Sequence, residues 1–185
     1  MTPIQQLYLG VGAKKKTYID DVFSTYLYKG TGSGSYAINN GIDLSSEGGL
    51  VWLKSRTNSA SNILQDTANG TGKFIKSNAD AAATNTNQYI TSFNTNGYTL
   101  GTDNDINNSS QNFASWSFRK APGFFDVVTY TGNGSNRTIA HSLGCIPGLI
   151  MIKNISAGEN WRVYHRATKA THNLQLNDTD AAGAS

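Results

Sequence analysis

Charge is scarce in this sequence of 185 residues. Asp, Glu, Lys and Arg together make up 15%, against about 25% in an average domain. The net charge is only +3, too little for the basic footprint of a nucleic-acid-binding protein. One dense basic run occurs, Lys14-Lys15-Lys16. Cysteine is nearly absent as well. Cys145 stands alone in "SLGCIPGLI", which excludes an intrachain disulfide. Its apolar neighbours predict a small buried hydrophobe rather than a nucleophile. No window approaches 18 apolar residues, so no membrane span is expected. The opening "MTPIQQLYLG" has neither a basic n-region nor a long apolar h-region, so no signal peptide is expected.

What replaces charge is Asn, Gly, Ser and Thr, with 20 Asn and 19 Gly. These residues favour turns and disfavour helix interiors. Nine Tyr, seven Phe and three Trp supply apolar mass for a core, which a disordered chain lacks. "LVWLK", "YITSF", "YTLGT", "FASWSF", "DVVTYT", "GLIMIKN" and "WRVYH" are rich in β-branched and aromatic residues, the composition of strands. No stretch carries a helical period; "NADAAATNTN" comes nearest and is short. Short strands separated by frequent turn signals predict an all-β sandwich or barrel.

Three phrases recur in order. "YKGTGS" at Tyr28–Ser33 matches "YTGNGS" at Tyr130–Ser135, an offset of 102. "GLVWLK" at Gly49–Lys54 matches "GLIMIK" at Gly148–Lys153, an offset of 99. "FIKSNADAA" at Phe74–Ala82 matches "LQLNDTDAA" at Leu174–Ala182, an offset of 100. Collinear matches of this kind signal a tandem repeat. Each phrase has a physical sense. The Tyr-x-Gly-x-Gly-Ser phrases end a strand in a turn that needs glycine's freedom at positive φ. The Gly-Leu phrases are continuous apolar strands, expected to be covered on both faces, with a lysine reaching solvent. The Asp-Ala-Ala phrases read as turns.

The chain therefore divides into an extended N-terminal anchoring arm (1–19), a first β-sandwich unit (20–122) and the start of a second, truncated unit (123–185). Residues 83–122 follow Ala82 in the first unit, whereas Gly183-Ala184-Ser185 follow Ala182 in the second. A unit without its closing strands exposes core and a sheet edge. Either a partner supplies those strands, or the polypeptide continues past Ser185; the latter is the expectation. The arm is not repeated. Its apolar Ile4, Leu7, Tyr8 and Leu9, with Lys14, Lys15 and Lys16, fit a docking peptide or an extra edge strand of the first unit.

Catalytic patterns are not found. Asp20 and Asp21 are adjacent, so on a strand they point apart. His141, His165 and His172 have no metal-ligand spacing, and His165 aligns with Asp66 at the offset of 99, which favours a structural role. "DNDIN" at Asp103–Asn107 begins like a calcium loop but lacks the glycine and the final acid; an Asx-turn is the expectation. No catalysis, metal or cofactor is expected.

"YIDDVFSTYLYKGTGS", "NGIDLSSEGGLVWLKSR", "SFNTNGYTLGT" and "ASWSFRKAPGFFDVVTYTGNGS" resemble structural proteins of marine bacteriophages, repeat-containing virion proteins of the tail-fibre or appendage type. The resemblance implies a lectin-like, concanavalin/jelly-roll-like sandwich, localisation in the virion, and homo-oligomeric assembly, a trimer if the part is a fibre. The expected partners are other virion proteins, a tail adaptor or nozzle or the capsid. The leading expectation is the anchor and proximal part of a tail fibre, with residues 1–25 in contact with neighbouring chains. The alternative is a capsid decoration protein whose loops bind a host surface glycan. Sandwich lectins stack sugars on exposed aromatics, and Trp161 and Tyr164 are the candidate glycan contacts. Trp52 and Trp116 are expected in the core.

Overall fold

The structure, a computed structural model, describes residues 17–184. Among the described residues the fold is all-β apart from two helical turns, α1 (Ile19–Val22) and α2 (Asn104–Asn107). In order the first nine strands are β1 (Phe23–Lys29), β2 (Tyr36–Asn39), β3 (Gly49–Ser55), β4 (Ile63–Asp66), β5 (Lys73–Lys76), β6 (Thr84–Asn85), β7 (Ile90–Asn94), β8 (Gly97–Leu100) and β9 (Asn112–Arg119). They build a six-stranded sheet in the order β1-β9-β3-β4-β5-β6 and a three-stranded sheet in the order β2-β8-β7. Every pair is antiparallel.

Alternation along the strands decides what lies between the sheets. Val51, Leu53, Ile63 and Phe74 turn inward from the larger sheet and meet Ile38, Ile90, Tyr98 and Leu100 of the smaller one. Leu50, Trp52, Leu64 and Ile75 point to the opposite face and join a second cluster. The run "LVWL" is thus apolar throughout because both faces of β3 are covered, as its composition predicts. Burying each large side chain of this kind contributes about 1.5–3 kcal/mol.

The recurring phrase "YKGTGS" has its explanation in Asn107, which is fully buried. Its Oδ1 accepts from the Thr31 amide at 2.8 Å, and its Nδ2 donates to the carbonyls of Ser33 (2.8 Å) and Gly101 (2.7 Å). Gly32 sits at φ 71° within the pinned loop, a region that glycine enters without cost.

Four further strands are β10 (Leu149–Ile152), β11 (Arg162–His165), β12 (His172–Asn173) and β13 (Gly183–Ala184). Their pairing reproduces that of β3 to β6 at a constant offset of 99. Leu50↔Asp66 becomes Leu149↔His165, and Leu53↔Ile63 becomes Ile152↔Arg162. Leu64↔Ile75 becomes the bridge Val163↔Leu174. Lys73↔Asn85 becomes His172↔Ala184. Even the loop contacts recur: Asn62 N donates to Asn78 Oδ1, and Trp161 N donates to Asn177 Oδ1, each at 2.9 Å. We call residues 49–85 and 148–184 the first and second copies.

Several expectations change. The third phrase match is one residue out of register, because Ile75, not Phe74, is the counterpart of Leu174; a slip of one moves a side chain to the other face. "DVVTYT" forms no strand: β1 exists by pairing with β9, and Asp126–Thr131 has no such neighbour. The helical turns fall on "IDDV" and "NDIN" and not on "NADAAATNTN", which has no helix. Asp20 and Asp21 therefore lie on α1 rather than on a strand. Lys54 and Lys153 do not simply reach solvent; each ammonium donates at 2.9 Å to the carbonyl six residues on, Ala60 or Glu159. Cys145 is exposed, because the segment around it forms no strand and packs thinly.

Candidate functional site

The outer face of the six-stranded sheet is where the two copies meet. Leu50 and Leu64 of the first copy bury against Trp161, with Trp52, Ile75 and Phe118 on one side and Met151, Leu176, Phe125 and Val127 on the other. The offset makes Met151 the counterpart of Trp52 and Val163 the counterpart of Leu64. Corresponding faces of the two copies are therefore turned toward each other.

Polar groups set this junction. The Trp161 indole N–H donates to the Lys76 carbonyl at 2.9 Å. Ala83 N donates to the Ile155 carbonyl at 3.1 Å and Glu159 N to the Asp80 carbonyl at 2.9 Å. Lys153 Nζ reaches three carbonyls, those of Asp80, Asn154 and Glu159, at 2.8–2.9 Å. Burial lowers the Lys153 pKa from the ordinary lysine value, against the opposing pull of the Asp80 and Glu159 carboxylates. At the entry to the second copy, Lys120 Nζ pairs with Asp126 Oδ1 at 3.0 Å. Burial raises the Asp126 carboxyl, but the Ser142 amide and the Lys120 ammonium outweigh it and hold the group below its ordinary value.

The opposite face of the second copy, which carries Ile150 and Ile152, is bare, and on the junction face Leu149 is bare as well. Leu149, Ile150 and Ile152 are 52%, 40% and 44% exposed, whereas their counterparts Leu50, Val51 and Leu53 are 6%, 0% and 0% exposed. "GLIMIK" was expected to be covered on both faces like "GLVWLK". The difference arises because the three-stranded sheet and β9, which cover the first copy, have no counterparts among the described residues of the second.

Trp161 is buried, which corrects the expectation of an exposed stacking platform: its ring packs between the copies and its N–H is already bonded. Tyr164 is half-buried on the other face of β11, so the two aromatics do not form one surface. Trp52 and Trp116 are both half-buried and meet edge to face at 6.3 Å. Ile4, Leu7, Tyr8, Leu9, Lys14, Lys15 and Lys16 lie outside the described residues.

Asp66, Asp103 and His165 are engaged in turns. Asp103 Oδ1 accepts from Asp105 N at 2.8 Å, the Asx-turn expected for "DNDIN". Asp66 Oδ1 accepts from Asn69 N at 2.8 Å and His165 Nδ1 from Ala167 N at 3.2 Å, so the aligned Asp and His both cap the turn that follows their strand. Among the described residues no three His, Cys, Asp or Glu side chains gather to hold a metal ion. No helix there is long and apolar enough to cross a membrane.

Residues 19–185 match a family described as a domain of unknown function, DUF7483. The chain belongs to this family. No curated protein and no solved structure matches it. The family match begins at Ile19 and spans both copies. What sequence reasoning missed is the junction; the signal was Trp161, which occupies the position of Asn62 in the first copy and so marks a new contact.

Proposed function

We propose that this chain is a non-catalytic structural protein of a bacteriophage virion, built of tandem β-sandwich units. The observation that carries the reading is the repeated register: strand partners, loop contacts and lysine contacts recur at 99 residues. Repetition of a folding unit multiplies length and surface, which serves assembly rather than chemistry. The resemblance to tail-fibre and appendage proteins supplies the virion setting, with residues 1–19 as the attachment arm. Trp161 supports assembly over glycan binding, since its surface is spent joining the copies.

The test is the composition of purified particles. The protein should be found by mass spectrometry in gradient-purified virions at a fixed copy number, and a virion map should place it in an appendage. Absence from purified particles overturns the reading. Deletion of Met1–Lys16 should leave the sheets folded and abolish incorporation; normal incorporation of that deletion removes the arm from the proposal.

A further inference from the structure

We infer that the free edge of β10 is a docking site for an extended segment of a partner polypeptide, antiparallel to β10, that alternates aromatic with small hydroxyl residues. The inference rests on the two copies and holds whether or not the protein is part of a virion.

Among the described residues β10 pairs with β11 on one side only. The Gly148 carbonyl accepts from Arg166 N at 2.9 Å, so Gly148, Ile150 and Ile152 address β11. Backbone groups alternate sides in an antiparallel pair. Leu149, Met151 and Lys153 therefore direct their N–H and C=O groups to the open side. In the first copy the corresponding residues are Leu50, Trp52 and Lys54. There the Gly49 carbonyl accepts from Thr67 N at 2.9 Å, and on the other side Arg56 N donates to the Asn112 carbonyl at 2.8 Å. So Leu50, Trp52 and Lys54 address β9.

Exposed edges in natural proteins are blunted by charge, proline or bulges. Leu149–Ile152 has none of these within it, and three of its four apolar side chains are exposed. An edge of this kind binds by strand addition, with backbone bonds for affinity and alternate side chains for specificity.

The first copy identifies the occupant. β9 places Phe118 opposite Leu50 and Trp116 opposite Trp52, on the face turned to the junction. It places Ser117 opposite Val51 and Ser115 opposite Leu53, on the face turned to the three-stranded sheet. Transferred by 99 residues, a partner strand sets aromatics beside Leu149 and Met151. Small residues lie beside Ile150 and Ile152, leaving those isoleucines free to meet a second layer.

The probe is a peptide with the sequence of residues 111–120, "QNFASWSFRK", added to the full chain. Amide exchange is followed by NMR. The peptide should slow exchange at Leu149, Met151 and Lys153 by at least about tenfold, with Leu50 and Trp52 unchanged. N-methylation of the peptide at its Trp and second Phe, whose amides address the docking edge, should abolish that protection. N-methylation at the two Ser residues, whose amides point away, should leave it. Leu149→Pro removes one donor from the open side at the first residue of a strand, where proline is tolerated, and should weaken peptide binding. The peptide series in the unaltered chain stands without that variant. No protection, or protection indifferent to which amides are methylated, overturns the inference. So does protection that appears without peptide and rises with protein concentration, since that result assigns the edge to a second copy of this chain.

Discussion

Buried amides organise this protein where charge is scarce. Gln65, 1% exposed, accepts from Ile90 N at 2.6 Å and donates to the Thr71 carbonyl at 2.9 Å, tying the larger sheet to the smaller. Asn107 ties the Thr31–Ser33 loop to Gly101 in the same way. An amide does this because it offers donors and acceptors without the cost of burying a charge. Asn107→Ala leaves the Gly101 carbonyl and the Thr31 amide without this partner, and the Ser33 carbonyl with only the Thr31 hydroxyl at 3.4 Å. The expected loss is about 3 kcal/mol, read as a lowered urea midpoint with an unchanged m-value. Asn107→Asp should do no better, since a carboxylate cannot donate to the Ser33 and Gly101 carbonyls.

Elements differ in how much holds them. The β7–β8 hairpin turns through Thr95–Asn96 into Gly97, at φ 128°. A Cβ there runs into the Ile38 carbonyl, so Gly97→Ala must open the β2–β8 pairing. The expected cost is at least about 2 kcal/mol by thermal or chemical unfolding. The second copy is held mainly through one face, and that face centres on Trp161. Trp161→Ala removes about 3–5 kcal/mol of packing, enough to release residues 121–184 while the two sheets of 23–119 persist. Limited proteolysis should then cut within 121–184 first and leave a resistant fragment. Simultaneous loss of both parts would show that the copies unfold as one unit.

The molecule as a whole should be sensitive to base. Burial raises the hydroxyls of Tyr28, Tyr89 and Tyr98 above their ordinary value, with Tyr98 and Tyr36 adding to the effect at Tyr28, and Asp103 and Asp105 at Tyr89. In the unfolded chain these phenols titrate near about pH 10, while in the folded chain they keep their protons beyond it. Above that pH the folded state binds more protons than the unfolded state, so stability falls as pH rises. Their contribution is therefore intact below about pH 10 and is lost progressively above it. Urea midpoints measured between neutral pH and strong base should hold steady and then fall. A flat profile would mean that these hydroxyls are open to solvent.

Composition and local pattern were enough for the all-β class, for most of the strands, and for the repeat. These follow from period-2 apolar alternation, from β-branched and aromatic runs, and from Gly and Asn at turns, all of which act within a few residues. The Asx-turn at Asp103 was legible for the same reason. The register of the third match, the coil at Asp126–Thr131, the exposure of Cys145 and the burial of Trp161 were not. Each depends on which distant strand lies alongside. A strand persists where a ladder partner satisfies its backbone, and an aromatic is core or surface according to what packs on its face. Nothing near Trp161 in the sequence names Leu50, Leu64 or the Lys76 carbonyl; only stacking one copy on the other brings them there.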